Sequence, residues 1–116
     1  MIKTKLFPID RLAEENDNYR SVIHTTPYNQ VVLMSLDPGE NIPKETHPYA
    51  TQFVKVVSGH GSVTVNRTTQ RLEEGDVVNI APGFEHEISN EGEVPLKMYF
   101  VYSPPQHPDG LVRPRQ

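Results

Sequence analysis

At 116 residues the chain makes one domain with a single core, and with 35% hydrophobic residues a closed or sandwiched sheet is the efficient way to build it. A formal charge of −4 argues against a nucleic-acid partner, which needs a basic face, and the lack of any run of roughly 18 apolar residues argues against a membrane partner. With no cysteine, disulfides and thiolate metal sites are excluded, so any metal must be held by nitrogen and oxygen.

The opening stretch "MIKTKLFPID" has lysines but no apolar segment or small-residue cleavage site. A signal peptide is therefore not expected, and a cytoplasmic location is. Asp10 is expected to cap one short helix over "RLAEEN", which Asn16 and Asn18 end. Beyond it, 11 prolines and 7 glycines punctuate the chain at intervals that suit short strands. "YRSVIHT" and "QVVLMSL" read as strands, followed by the turn "DPGE" and the extended "NIPKETH". Then come "TQFVKVV", "GSVTVN", "QRLE", "DVVNI", "HEISN" and "LKMYFVY", all favouring strands through β-branched and aromatic residues. Either Met98 and Phe100 or Tyr99 and Val101 must face inward on the last of these. The tail "SPPQHPDGLVRPRQ" is too rich in proline for a central strand and should lie over the surface or against a partner.

Residues two apart in a strand share a face. Glu45 and His47 therefore project together, Gln52 shares the inward face of Val54 and Val56, and His86 that of Ile88. Polar groups opening apolar faces are costly to bury unsatisfied, and a divalent cation would satisfy all four at once. His24, His60 and His107 fall outside this set; His107 reads as part of a tail turn. Arg20, Arg67 and Arg71 are scattered in sequence, so no phosphate clamp is visible. Of the two lysines near the site, Lys55 should point outward by the alternation that turns Gln52 in.

These residues resemble the cupins. The first cupin motif runs glycine, His-x-His, Glu, glycine; Gly39, Glu45, His47, Gln52 and Gly59 stand at its positions. Gly75, Pro82-Gly83, His86 and Asn90 stand at those of the second, with Ala81 at the motif's proline. The ending "YFVYSPPQHPDG" is similar to small bacterial cupins of the mannose-6-phosphate-isomerase-like group. The resemblance implies an all-β double-stranded β-helix, or jelly roll, with one short N-terminal helix. Its expected organisation is a single domain over residues 1–116, with a lead-in to 18, a barrel over 19–103 and a tail over 104–116.

Carried over residue by residue, the family's metal ligands become Glu45, His47, Gln52 and His86. Here the first histidine has become glutamate and the glutamate glutamine, an exchange that keeps one carboxylate among neutral ligands. The type I phosphomannose isomerases are similar in using two His, one Glu and one Gln. The implied cofactor is one divalent ion, with Zn, Fe, Mn and Ni all compatible. Val54, Val56 and Ile88 are expected to wall a cavity for a sugar or organic acid. Three functions stay open: a metal-dependent binder that extends to sugar isomerisation, a non-haem Fe(II) dioxygenase, and a non-catalytic module. Apolar residues on both faces of "QVVLMSL" and "LKMYFVY" suggest a homodimer.

Overall fold

Period-two alternation governs most of the chain, and the computed structural model, in which residues 4–114 are described, turns it into two antiparallel sheets. Helix α1 (Ile9–Glu15) precedes β1 (Arg20–Thr25), β2 (Gln30–Leu36), β3 (Asn41–Glu45), β4 (Thr51–Ser58), β5 (Gly61–Val65), β6 (Thr68–Leu72), β7 (Val77–Ile80), β8 (His86–Ser89), β9 (Leu96–Ser103) and β10 (Val112–Arg113). One sheet runs β10-β1-β2-β9-β4-β7, the other β3-β8-β5-β6. This is the expected all-β jelly roll with one short helix.

The helix corrects one detail. Asp10 does not cap it; Pro8 occupies that position without a side-chain bond, and its carbonyl accepts the Leu12 amide at 3.0 Å. Proline's fixed φ suits the helix entry, so the helix starts earlier than expected. Asp10 instead lies in the first turn and pairs with Lys55 at 3.5 Å, which places Lys55 outside the barrel as expected. At the other end Asn16 stops the helix, its Oδ1 accepting the Asn18 amide at 3.2 Å.

Between the sheets lie Val22, Val32, Met34, Leu36, Val54, Val56, Ile88, Met98, Phe100 and Tyr102. On β9 it is Met98, Phe100 and Tyr102 that face inward, while Tyr99 and Val101 are half-buried outside. Every residue of β2 is buried, because α1 packs over the outer face of β2, β9 and β4. Lys97, also on that face, is buried and donates to the Asn16 carbonyl and, at 3.1 Å, to Asp17 Oδ1. The apolar outer face from which a dimer was expected is thus largely covered within one chain.

Two tight places shape the barrel. Gly59 takes φ +82° at the β4–β5 turn, and a Cβ there would meet the Pro95 carbonyl, so only glycine fits. Asn90 closes β8 by donating to the carbonyls of Leu36 and Val94, both at 2.9 Å, and by accepting the Gly92 amide at 2.8 Å. The tail does lie on the barrel, with more structure than expected. Fully buried Gln30 donates to Thr25 Oγ1 and the His107 carbonyl, and accepts the amides of Gln106 and His107. Further on, β10 pairs with β1 and extends the larger sheet by one strand.

Candidate metal centre

The two sheets deliver the four expected residues to one place. On β3 and β8, Glu45 stands directly opposite His86. His47 follows two residues later, and its carbonyl accepts the Gly83 amide at 3.0 Å, tying the first motif to the turn of the second. Gln52 comes from the facing sheet, on the inward side of β4. Glu45 Oε1 lies 3.2 Å from His47 Nε2 and 3.6 Å from His86 Nε2, and Gln52 Nε2 lies 2.8 Å from His86 Nε2. With metal–ligand bonds of about 2.1 Å, neighbouring ligands of one cation sit about 3.0–3.4 Å apart, so the Glu45–His47 spacing suits shared coordination and His86 lies just beyond it.

Hydrogen bonding fixes which ring nitrogens are offered. His86 Nδ1 donates to the Phe84 carbonyl at 3.0 Å, which leaves Nε2 with its lone pair toward Glu45. His47 Nδ1 lies 3.1 Å from Gln106 Oε1. The Gln106 amide nitrogen donates to the carbonyls of Pro104 and Pro105, so its oxygen is the acceptor and His47 Nδ1 carries the proton. Both histidines thus have the outer partner that metal-ligating imidazoles generally have. Gln52 adds a further sign: it is 1% exposed, and its Oε1 has no hydrogen-bond partner among the described residues. An unsatisfied buried oxygen is costly, and a half-turn of the amide brings it to the side of His86 Nε2, where a cation would satisfy it. These donors fit a divalent ion.

Electrostatics agree with the geometry. The hydrogen bond from His47, with the His86 ring close by, holds the Glu45 carboxyl well below the usual carboxylate range. The bond to Glu45 in turn raises His47 above the ordinary imidazole value, against the pull of burial. In the metal-free protein each of these two groups thus favours the charged form of the other.

Val54, Val56 and Ile88 do not wall the neighbouring cavity; they fill the core, buried to 1% or less, because both sheets press on that end of their strands. The cavity beside Glu45, about 490 Å³, is lined instead by Tyr19, Arg20, Glu40, Ile42, Glu45 and Arg113, among others. It reaches the centre from the side where Glu45 is a third exposed, while His86 is 2% exposed. Sequence reasoning missed Gln106, Gln30 and Arg113, whose roles depend on where a proline-rich tail docks. Arg20, set aside there as scattered, did carry a signal, since alternation puts it on the inward face of β1 with Val22.

A model of the Cupin domain family matches residues 32–102. The YrkC protein of Bacillus subtilis is 34% identical over 110 residues, which are 90% of this chain and 59% of that protein. A protein of Acanthamoeba polyphaga mimivirus is 38% identical over 106 residues, 88% of this chain and 66% of that one. The chain thus spans about three fifths to two thirds of these relatives. The crystal structure of BH2720 from Bacillus halodurans superposes with a TM-score of 0.95 at 32% identity, covering 97% of this chain and 89% of that one.

Proposed function

The chain belongs to the cupin family, and from that premise we propose that it binds a small polar metabolite, a sugar or organic acid, through one divalent cation held by Glu45, His47, Gln52 and His86. The observation that carries this reading is the hydrogen-bonding of the two imidazoles. Each has its Nδ1 engaged by a carbonyl oxygen and its Nε2 directed at the same carboxylate oxygen. When bound, the cation would act as a Lewis acid on a carbonyl or hydroxyl oxygen of the ligand. The protein's own part is to hold the donors. Glu45 sets the charge, Gln106 orients His47, Phe84 orients His86, and the core behind them keeps water to the Glu45 side. Placement in the mannose-6-phosphate-isomerase-like group, with aldose–ketose interconversion as the reaction, extends this proposal. Its support is the "PPQHP" stretch, which brings Gln106 to the centre.

One observation favours a second reading. Glu45, His47 and His86 alone make a two-histidine, one-carboxylate set with their donor atoms within 4.8 Å of one another, the composition used by non-haem Fe(II) oxygenases. The experiment separates the readings by metal. Protein loaded with Zn²⁺ or Mn²⁺ is assayed for interconversion of aldose and ketose phosphates. Protein loaded anaerobically with Fe(II) is assayed for O₂ uptake with a panel of diketones and phenols. Turnover in one arm selects that reaction, and silence in both alongside saturable sugar or acid binding leaves a binding module. A cytoplasmic homodimer is part of the same proposal. With β2 covered, the exposed large hydrophobic residues left on the large sheet among the described residues are Phe53, Val77 and Val112.

A further inference from the structure

Arg20 is a guanidinium inside a barrel, 7% exposed, and its Nε is buried without a hydrogen-bond partner among the described residues. A buried charge left in that state is costly. Its cross-strand partner makes the position more unusual. In the β1–β10 pair Arg20 stands directly opposite Arg113, and like charges so placed repel. Both guanidiniums lie against one ring, with Tyr19 centred 5.6 Å from Arg20 and 5.9 Å from Arg113, and neither forms an ion pair among the described residues. All three residues line the 490 Å³ cavity that reaches Glu45, a volume in the range that holds small molecules. Lys44 lines it too, but pairs with Glu85 at 3.9 Å. The cavity's two carboxylates are otherwise engaged: Glu40 accepts the Asp37 amide, and Glu45 faces the two histidines.

We infer that this cavity receives a small organic anion, with its carboxylate or phosphate group clamped between Arg20 and Arg113 and its other end directed to Glu45. The inference rests on the metal-centre reading for what the far end of the ligand meets, but the clamp itself is made by residues that hold no metal. Guanidinium forks suit both anion types, because two parallel N–H donors match two oxygens. The anion relieves the Arg20–Arg113 repulsion and gives Arg20 Nε an acceptor. It also narrows the ligand to an acid: a hydroxy or keto acid, or a sugar phosphate, rather than a neutral sugar.

The test is calorimetric titration of metal-stripped protein with malonate and, separately, with inorganic phosphate. Saturable binding of either probe is expected, and which binds tighter tells carboxylate from phosphate. Arg20→Met should weaken the preferred probe by about tenfold or more, since a charged hydrogen bond is lost. Arg20→Lys should recover part of the loss, and metal content after reloading should match the parent. Arg113→Gln, on the exposed strand β10, should weaken binding in the same direction and decides the matter if Arg20→Met does not fold. Failure of both probes to saturate by about 10 mM, a threshold for weak specific affinity, would overturn the clamp, as would equal affinity in parent, Arg20→Met and Arg113→Gln. Arginine-dependent binding in a protein that takes up no metal would leave the clamp standing and remove the metal-centre reading. Full metal uptake with no anion binding would do the reverse.

Discussion

His47 and His86 differ from ordinary buried histidines in one respect, which is that each has its Nδ1 hydrogen used and its Nε2 aimed at a carboxylate. Gln106 is the outer partner on which this depends for His47. Gln106→Ala should therefore lower metal affinity by roughly 10–100-fold while leaving the four donors in place; competition against a chelating dye reads this directly. pH should act through the same bond. His47 is raised by Glu45, so their pairing in metal-free protein is fully present below the ordinary imidazole value of 6.5 and is lost as pH rises through the raised value. Glu45 is depressed, so its share is present above the ordinary 4.5 and is lost only as pH falls through its lowered value. Metal-free protein should melt highest on the mildly acidic side of neutrality. Metal must displace the His47 proton, so affinity should rise about tenfold per pH unit until His47 has titrated. A flat affinity profile between pH 5 and pH 8 would mean that His47 is not a ligand. The residues themselves were legible in the sequence because the strand period puts Glu45 with His47 and Gln52 with Val54. Which nitrogen each histidine offers was not, since that is decided by carbonyls 2 and 59 residues away.

At the scale of elements, the tail departs furthest from what its composition suggests. Proline excludes it from the middle of a sheet, and so its sequence reads as surface chain. Its first part is held chiefly by a buried amide, and its end by pairing of β10 with β1: Gln30 makes four hydrogen bonds, three of them to the backbone of residues 106 and 107. No local pattern marks Gln30 as different from any glutamine that opens a strand. Gln30→Leu should cost about 2–4 kcal/mol, as several buried backbone groups lose their partner, and should make the tail sensitive to proteolysis before the barrel melts. Metal affinity should fall with it, because Gln106 is carried on the tail. Acid should loosen the same element. Burial pushes His107 down to about 4, with Arg20, Arg113 and His47 adding to the effect and Glu45 opposing it. A depressed imidazole stabilises the docked tail fully above 6.5, and that stability is lost as pH falls from there toward 4. Amide exchange of residues 104–114 should accelerate over that window in the parent and stay level in His107→Phe. The helix gives the converse lesson. Its existence was readable, whereas its start depends on Pro8 and its docking on buried Lys97.

For the whole molecule, the spaced glycines and the alternating strands pointed to a sandwich or barrel, because each turn and each face is specified locally, and the likeness of the two motifs to the cupins chose the jelly roll. The inward choice on β9 was left open since both faces of that strand are apolar. It is settled by α1, which needs the outer one. Gathering a carboxylate, two imidazoles and an amide between two sheets is a step that apolar burial does not explain, and a cation bound only by the folded state would stabilise it. At a free metal concentration a hundredfold above Kd this amounts to about 2.7 kcal/mol, so chelation should lower Tm measurably in the parent and leave His86→Ala unmoved. The decisive measurement is metal stoichiometry by plasma mass spectrometry. Untagged protein would be exposed in turn to Zn²⁺, Fe²⁺, Mn²⁺ and Ni²⁺ and then dialysed. The account predicts close to one ion per chain for at least one of these metals, and close to none in the His47→Ala/His86→Ala double variant. A parent that retains none of the four, or a double variant that retains as much as the parent, would contradict it.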